Sequence, residues 1–373
     1  MTKVTWALCA VVAVALAFPA AGVTRSTAGG TLNMIAWEGY LQPEWVNPFV
    51  KQTGCKINPK YAGSSDEMVT LMRSGGGSQY DMVSASGDAS LRLIYGHDVQ
   101  PIDTSKIPDF KNFNKAFQSP PNNTVDGKHY GISLQWGPNI LLYNTQKVKP
   151  APTSWSVIYG QKYKGKITVP DNPIQIADAA LYLKYHQPSL GITDPYELNS
   201  TQFNATINLL KQQKPLIEKY WATGGQEISD FKNGNAVVGA AWPYQLSQLL
   251  AAKAPVKDTI PVEGATGWLD TWMVSSHTKN LDCAYKWLAY ISTPKVQAEQ
   301  AIYFGETPVN SKACPIMDKL SKGSCEQYHA NAPLKYFKQI YFWKTPIAQC
   351  GWSTQSNCMD YTKWQQAWTQ LKG

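Results

Sequence analysis

The chain has 373 residues, of which 43% are hydrophobic and 16% charged, and its formal net charge is +8. This composition predicts a globular protein with a sizeable core, long enough for two domains or one large two-lobed unit. The lysines are scattered and no basic helix or zinc-finger spacing occurs, which argues against a nucleic-acid partner.

The first 22 residues have the pattern of a secretory signal peptide. Lys3 supplies a positive charge, residues 4–18 are mostly apolar, and the small residues 20–22 suit a cleavage site. The apolar run is too short to span a bilayer comfortably. Cys9 lies early inside this run, which argues against lipoprotein processing there. We therefore expect an exported protein that is soluble after cleavage.

Without that segment the chain retains six cysteines, an even number that favours disulfides in an oxidising compartment. Six cysteines allow fifteen pairings. Two short loops suggest local bridges, Cys314–Cys325 and Cys350–Cys358, which leaves Cys55 to pair with Cys283. No Cys-x2-Cys pair or histidine cluster accompanies them, so we expect no zinc site.

Strands and helices alternate through the first hundred residues. The predicted elements are strand 31–37, helix 43–53, strand 55–61, helix 68–73, strand 80–84 and a helix after residue 88. This alternation is typical of parallel β/α units, in which ligands bind at the carboxyl ends of the strands. Segments 37–40 and 84–88 lie at such ends.

The rest of the chain continues the mixed pattern. The apolar run 130–143 contains Gly137-Pro138 near its centre, so we interpret it as two strands with a crossing point between two lobes. Further predicted elements are strand 164–169, helix 174–185, a mostly helical segment 195–223, strand 236–242, helices 283–291 and 294–304, and a helical, aromatic-rich end after 310.

The segment 264–274 has the most distinctive chemical pattern. Trp268, Asp270 and Trp272 alternate along it, so in a strand they would share one face. Indole faces beside a carboxylate suit an organic ammonium ion, through cation–π attraction and a charge-assisted hydrogen bond. The structural alternative is a core strand of tryptophans in which Asp270 serves a turn.

A secreted hydrolase or acyltransferase is a hypothesis of a different class. It requires a Gly-x-Ser-x-Gly or Gly-x-Cys-x-Gly elbow, and neither occurs in the sequence. Ser84–Gly87 and Gly323–Cys325 come nearest but lack the flanking glycines. The five histidines lie in polar or loop-like settings. We therefore expect a binding protein without a cofactor and without enzymatic activity.

A series of short motifs occurs in the order of a known family. The motifs are Trp37–Tyr40, Tyr80–Ser84, Trp136–Gly137, Trp155 before Lys164–Lys166, Val169–Asp171, Ala241–Trp242, Gly267–Asp270 and Gly305–Asn310. Over roughly residues 30–370 the chain resembles the periplasmic polyamine-binding proteins. These are the substrate-capturing subunits of bacterial ABC importers for spermidine and putrescine.

The resemblance implies an α/β fold of the two-lobed periplasmic binding protein class (type II-like), with a ligand cleft between the lobes. Lobe 1 would comprise residues 30–138 plus 271–310, and lobe 2 residues 139–270 plus 311–373. It also implies a periplasmic protein, expected to be a monomer, that captures a small-molecule amine. The partners would be the permease and ATPase subunits of an ABC importer.

The resemblance further implies which residues hold the amine between aromatic walls and carboxylates. The positions that match the family are Trp37 and Tyr40 for the first wall, Trp242 and Trp268 for the second, Asp270 for the central carboxylate and Ser86 for the cleft edge.

Several positions depart from the family pattern. Asn172 and Gln175 replace acidic residues, Tyr244 and Gln245 lie near Trp242 without a carboxylate, Glu306 replaces a tyrosine of spermidine binders, and Asp88 is an extra acidic candidate. Because amides cannot neutralise a cation, the carboxylates limit how many ammonium groups the cleft can hold. We expect a putrescine- or spermidine-like ligand, a diamine more readily than a triamine. A zwitterionic ω-amino acid such as γ-aminobutyrate is the alternative.

Overall fold

Two separate β-sheets organise the protein in a computed structural model that describes residues 29–332, 334–350 and 357–373. The predicted signal segment 1–22 lies outside the described residues. Each sheet is covered by helices, and together they form a two-lobed α/β fold. The α/β prediction is therefore confirmed.

The bounds of the regular elements follow the chain in order. The strands are β1 (Thr31–Ala36), β2 (Lys56–Tyr61), β3 (Met82–Ala85), β4 (Thr124–Val125), β5 (Lys128–His129), β6 (Gly131–Pro138), β7 (Ile140–Asn144), β8 (Ile167–Pro170), β9 (Ile217–Trp221), β10 (Val238–Ala241), β11 (Val256–Thr259), β12 (Ala265–Val274), β13 (Thr307–Pro308) and β14 (Ile340–Phe342). The helices are α1 (Pro43–Thr53), α2 (Ser65–Arg73), α3 (Gly87–Tyr95), α4 (Lys115–Gln118), α5 (Ser156–Tyr159), α6 (Gln175–His186), α7 (Ser200–Gln213), α8 (Gly224–Asn233), α9 (Pro243–Ala251), α10 (Leu281–Ile291), α11 (Pro294–Phe304), α12 (Cys314–Leu320), α13 (Ser324–Gln327), α14 (Leu334–Phe337) and α15 (Tyr361–Lys372).

The first sheet has the strand order β13-β6-β12-β3-β1-β2, with β14 also beside β12. β1 pairs in parallel with β2 and β3, as the alternating pattern predicts, whereas β12 runs antiparallel to β3 and β6. Every residue of β3, β6 and β12 is buried, because helices cover this sheet on both faces. Its core includes Phe49 of α1, whose ring lies 5.1 Å from that of Trp287 in α10.

The second sheet has the order β11-β7-β10-β8-β9. Segment 195–223 is only partly the predicted helix, because α7 ends at Gln213 and Ile217–Trp221 forms β9, parallel to β8. β9 lies at a sheet edge and has the charged residues Glu218 and Lys219 at its centre, so it carries little of the apolar signal that marks a buried strand. The strand was missed for that reason.

Local capping signals set several helix ends where the sequence predicts them. α1 spans the predicted residues and ends at Gly54, whose φ of 73° lies in the left-handed region that glycine adopts most readily. The Ser64 side chain accepts a hydrogen bond from the backbone N–H of Glu67 and begins α2.

The chain crosses between the sheets at the predicted Gly137-Pro138 point. β6 ends at Pro138 in the first sheet and β7 begins at Ile140 in the second. The second crossing runs from β11 into β12, and the two crossings touch where the N–H of Asn139 donates to the carbonyl of Thr266 over 2.7 Å. Asp178 of α6 accepts hydrogen bonds from both of these side chains. Burial raises the pKa of Asp178 to about 7.

The C-terminal segment contacts both sheets. β14 pairs with β12 of the first sheet, whereas α15 packs on α7 beside the second. β12 also continues through the predicted lobe boundary at 270/271 as one strand of the first sheet. Lobe limits for this chain therefore depend on how these shared segments are assigned.

Three disulfides join Cys55 to Cys283, Cys314 to Cys325 and Cys350 to Cys358. These are the pairings that the sequence predicts. Asp318 lies beside Cys314 and Cys325, but their sulfurs are bonded to each other and are not free to bind a metal. Among the described residues, no helix combines the length and the apolar character needed to cross a bilayer.

Candidate functional site

A cavity of about 450 Å³ lies between the two sheets, at the carboxyl ends of their strands. This is the usual location of a ligand in open parallel sheets, and the volume falls in the usual range of about 300–1,000 Å³. The lining residues on the side of the first sheet are Trp37, Glu38, Gly39, Tyr40, Gln42, Tyr61, Ala62, Gly63, Ser86, Trp268, Asp270, Phe304, Glu306 and Trp343; those on the side of the second are Ala222, Thr223, Gly224, Trp242 and Tyr244.

Asp270 lies at the centre of the side formed by the first sheet and is only 2% exposed. The hydroxyl groups of Tyr40 and Ser86 donate hydrogen bonds to its two carboxylate oxygens. A turn at Gly39, with φ of 92°, brings Tyr40 to this position, and a side chain at 39 would collide with Phe304. Burial raises the pKa of Asp270 to about 7 even though both hydrogen bonds lower it.

Glu306 is a second buried carboxyl group in the same cavity, 5% exposed. Gly305, with φ of 73°, ends α11 and turns the chain so that Glu306 follows directly. The pKa of Glu306 is raised well above its ordinary value, mainly by burial and to a lesser extent by the negative charge of the nearby Asp270. Its Oε2 has no hydrogen-bond partner among the described residues. Two buried carboxyl groups that disfavour their charged forms make this part of the cavity suited to a cation.

We call Glu38, Asp270 and Glu306 the acidic wall. All three belong to the first sheet or to segments beside it: Glu38 follows β1, Asp270 is on β12, and Glu306 precedes β13. Glu38 is exposed, unlike the other two. The acidic wall thus offers two buried carboxyl groups and one in contact with solvent.

Indole rings bridge the two sides of the cavity. The ring of Trp242 lies 6.4 Å from that of Trp37 and 5.8 Å from that of Trp268, in edge-to-face geometry. Trp343 extends the series, 6.1 Å from Trp268. Gly137 provides the space for Trp268, since a Cβ at 137 would lie 2.5 Å from the indole. The rings present π faces and edges around the acidic wall.

The side formed by the second sheet has a different character, and we call Ala222, Thr223, Gly224, Trp242 and Tyr244 the neutral wall. None of these residues carries a charge. Thr223 precedes α8, and its backbone N–H donates to the side chain of Gln226. The N-terminus of a helix favours negative charge because its first N–H groups are unpaired. The neutral wall therefore suits a hydroxyl, a carbonyl or an anion better than a cation.

Most residues predicted for the site line the cavity. They are Trp37, Tyr40, Ser86, Trp242, Tyr244, Trp268, Asp270 and Glu306. The sequence-based hypothesis of indoles around a carboxylate thus matches the geometry at Trp268 and Asp270.

Four predicted site residues do not line the cavity, because local hydrogen bonds hold them elsewhere. Asp88 is fully buried and accepts a 2.8 Å hydrogen bond from Ser65. The remaining three are Asn172, which accepts from the N–H of Ile174, Gln175, which donates to Asp178, and Gln245, which accepts from the N–H of Trp242. Each caps or braces a helix start, so the structure does not bring these four residues to the cavity.

Trp272 also differs from its predicted placement beside Trp268. Its ring is buried in the first core, 5.7 Å from Trp287. A strand advances about 3.4 Å per residue, so four residues carry the chain from the cavity into the centre of the sheet. The register between β12 and β6 also shifts between Leu269 and Thr271.

Sequence reasoning missed several lining residues. Those after β2 and β9, at 61–63 and 222–224, follow the same carboxyl-end rule that identified 37–40. The rule was not applied to β2, and β9 was not predicted as a strand. Trp343 had no local signal, because the pairing of β14 with β12 places it.

Comparison with known proteins gives consistent results. Residues 44–322 match the sequence profile of a family described as bacterial extracellular solute-binding protein. The putrescine-binding periplasmic protein SpuD of Pseudomonas aeruginosa is 26% identical over 340 residues, which is 87% of this chain and 90% of the relative.

Solved structures share the fold at lower identity. A putative spermidine/putrescine ABC transporter protein from Listeria monocytogenes superposes with a TM-score of 0.77 at 19% identity, covering 92% of this chain and 98% of the other. The structure described as the Atu4243-GABA receptor superposes with a TM-score of 0.64 at 21% identity, covering 83% and 93%.

Proposed function

Because this chain belongs to the bacterial extracellular solute-binding protein family, we propose that it is the periplasmic substrate-binding component of an ABC importer for a polyamine. The ligand is a putrescine- or spermidine-like amine held in the cavity between the two sheets. Relatives that are described as putrescine- or spermidine-binding and periplasmic support this assignment. The partners are the permease and ATPase subunits of that importer.

The observation that carries the proposal is the pair of buried carboxyl groups, Asp270 and Glu306, in a cavity whose described lining contains no Lys or Arg. Burying a carboxylate without a partner is costly, and burial raises the pKa of both groups. An ammonium group placed between them supplies the missing opposite charge and forms charge-assisted hydrogen bonds. One ammonium group of the ligand is assigned to this position.

The alkyl chain and the remaining charge follow from the other lining residues. Trp37, Trp242 and Trp268 surround the space beside Asp270, and their rings suit both methylene groups and an ammonium ion. Glu38 is the third carboxylate and is exposed, so it pairs with a second ammonium group that keeps contact with water. A diamine uses all three carboxylates of the acidic wall.

The neutral wall favours a second candidate, a zwitterionic ω-amino acid such as γ-aminobutyrate. Its ammonium group would occupy the same position beside Asp270, while its carboxylate would face the start of α8 at Thr223 and Gly224. One structural neighbour is described as a GABA receptor. The two ligands share the acidic wall and differ only in the wall that their other end contacts.

Ligand capture in a two-lobed fold involves closure of the lobes about the crossing strands. Here the cavity is lined from both sheets, and the two crossings meet at Asn139 and Thr266. Solution scattering with and without a saturating ligand tests this step. A smaller radius of gyration is expected with the ligand bound, and an unchanged radius contradicts closure.

A thermal-shift screen tests the proposal and separates the two candidates. The ligands are putrescine, cadaverine, spermidine and γ-aminobutyrate, with butanol and butyrate as uncharged and anionic controls. A ligand that binds only the folded protein raises the melting temperature by an amount that grows with the logarithm of its concentration relative to Kd. We expect putrescine or cadaverine to give the largest shift. A larger shift with γ-aminobutyrate selects the second candidate, and equal shifts with butanol contradict both.

A further inference from the structure

A second cavity of about 170 Å³ lies between the sheets on the far side of Glu306. Its lining includes Glu306, Asp258, Trp136, Tyr328, His329 and Tyr336. Glu306 is shared with the main cavity, whereas the other five residues are not. The volume is below the usual range for ligand pockets, so it suits a small ion rather than a chain-like ligand.

Three polar groups in this lining lack partners. Glu306 Oε2, the Tyr336 hydroxyl and the Trp136 indole N–H are all buried without a hydrogen bond among the described residues. Buried polar atoms are nearly always paired, by protein, water or ligand, so each such atom calls for an explanation. All three belong to side chains that line the same cavity, so the cavity offers hydrogen-bonding groups to a polar ligand.

The charge of the lining selects the sign of that occupant. Asp258 on β11, which is exposed, and the buried Glu306 both line the cavity and come from the second sheet and from a segment beside the first. No Lys or Arg appears among the described lining residues. Burial lowers the pKa of His329, so this ring is neutral at pH 7 and does not repel a cation.

Aromatic rings define the chemical class more closely. His329 stacks on Tyr336 with 4.2 Å between ring centroids, and Trp136 lies 6.0 Å from the same tyrosine. A cluster of rings beside carboxylates favours an organic ammonium ion over a hydrated metal ion, because π faces replace water around methyl and methylene groups. The shared feature with the main cavity is this combination of rings and carboxylates.

We propose that the second cavity is a separate binding site for a small organic ammonium ion, held between Glu306 and Asp258 against Tyr336 and Trp136. The site goes beyond the proposed function, since it does not require the main cavity to bind a polyamine. Because Glu306 lines both cavities, its charge is shared, and occupancy of one cavity weakens binding in the other.

The test uses the full chain with its disulfides intact and ethylammonium as the probe. Two indole N–H signals in proton–nitrogen NMR spectra act as reporters, Trp136 for the second cavity and Trp242 for the main one. We expect a saturable shift of the Trp136 signal with ethylammonium and none with propanol, the neutral analogue of similar size. Asp270→Asn is expected to remove the Trp242 response and, because the two cavities compete for Glu306, to make the Trp136 signal respond at a lower ethylammonium concentration.

Two substitutions examine the second cavity itself. Asp258→Asn is expected to weaken the Trp136 response about three- to fivefold, the range for a partly solvated charge pair. Tyr336→Leu is expected to weaken it about two- to fivefold through loss of the ring face. An unmoved Trp136 signal, an equal shift with propanol, or a parent-like response in Asp258→Asn overturns this site. If ethylammonium shifts the Trp136 signal but not the Trp242 signal, the proposed binding in the main cavity is contradicted and the second site is supported.

Discussion

The two walls of the main cavity differ in charge although each includes a residue that follows a parallel strand, Glu38 after β1 and Thr223 after β9. The acidic wall provides Glu38, Asp270 and Glu306 from the first sheet and its neighbouring segments, whereas the neutral wall provides backbone and uncharged side chains from the second. In the proposed function, one side of the cavity therefore provides all the charge that recognises a cation. The other side supplies aromatic surface and the N-terminus of α8, where the helix dipole favours negative charge.

This asymmetry explains how one cavity can serve related ligands. An ammonium group needs only the acidic wall, so its position is set before the lobes close. In the proposed function, the opposite end of a diamine then pairs with Glu38, whereas the opposite end of an ω-amino acid faces the neutral wall, so the charge of that end is distinguished by the wall it contacts. Changes to the acidic wall should alter affinity for every amine, and changes to the neutral wall should alter the preference between amines.

The largest effect is expected from Asp270→Asn, which keeps shape but removes the central charge of the acidic wall. Removing one partner of a buried charge pair costs about 2–5 kcal/mol, or roughly 30- to 5,000-fold in affinity. Calorimetric titration with the best ligand of the thermal-shift screen measures this loss. Asp88→Asn is the matched control, because Asp88 is equally buried but does not line the cavity.

Parent-like affinity in Asp270→Asn would contradict the ammonium assignment. An equal loss in Asp88→Asn would show that any buried negative charge near the cavity suffices, and the contrast between the two walls would then carry less of the specificity.

The second prediction uses pH to change the charge of the acidic wall without a mutation. With a pKa of about 7, Asp270 is largely neutral at pH 5 and ionised above pH 8. An alkylammonium group stays charged throughout, since its pKa is about 10. Affinity should rise about tenfold per pH unit below 7 because a proton must leave Asp270, and more steeply wherever Glu306, whose pKa is also raised, must lose its proton as well.

The same raised pKa makes the stability of the ligand-free protein change with pH in the opposite direction to the affinity. A carboxyl group that holds its proton more tightly when folded makes the ligand-free protein less stable as the pH rises from about 4 to 7. Calorimetry from pH 5 to 8.5 measures the affinity and melting curves the stability. A flat affinity profile would indicate that the ligand does not require an ionised Asp270.

The third prediction removes aromatic surface and leaves the charges in place. Trp268→Leu should weaken binding by about 1–2 kcal/mol, or roughly five- to thirtyfold, through loss of cation–π and ring contacts. Calorimetric titration compares it directly with Asp270→Asn. A greater loss for Trp268→Leu than for Asp270→Asn would mean that apolar contact, rather than charge, dominates recognition.

The smallest effect is expected from adding a charge to the neutral wall. Thr223→Asp preserves the preference for a capping residue at the start of α8 and introduces a carboxylate. Diamine affinity should rise about two- to fivefold, as for a partly solvated pair, while affinity for an ω-amino acid falls. Thr223→Asn is the uncharged control of the same shape, and equal behaviour of the two variants would exclude a role for wall charge.

Much of this arrangement follows from local sequence signals. The bounds of α1, the crossing at Gly137-Pro138 and the pairing of Cys55 with Cys283 are each fixed by nearby residues or by elimination among few candidates. The indole–carboxylate cluster around Asp270 could be predicted because the chemistry of an ammonium site requires both residue types.

The remaining features depend on contacts between distant segments. Trp343 reaches the cavity only because β14 pairs with β12, and Thr223 only because β9 pairs with β8. Asn172 and Gln175 follow a strand end, as a site residue should, yet hydrogen bonds to Ile174 and Asp178 turn them to other uses. Whether such a residue caps a helix or contacts the ligand depends on the direction of its side chain. The spacing of residues in the sequence does not reveal that direction.

The rings of Trp37 and Trp242 are in contact across the cavity, which has a consequence for the absorption of ultraviolet light by the protein. The rings are 6.4 Å apart and belong to opposite sides of the cavity, and Trp221 lies a further 4.7 Å from Trp242. Indoles at such separations couple their electronic transitions, and the coupling varies steeply with distance and angle. Any motion of one lobe against the other therefore alters the near-ultraviolet circular dichroism of the protein. The circular dichroism of these tryptophans can therefore be used to measure lobe closure without an attached dye.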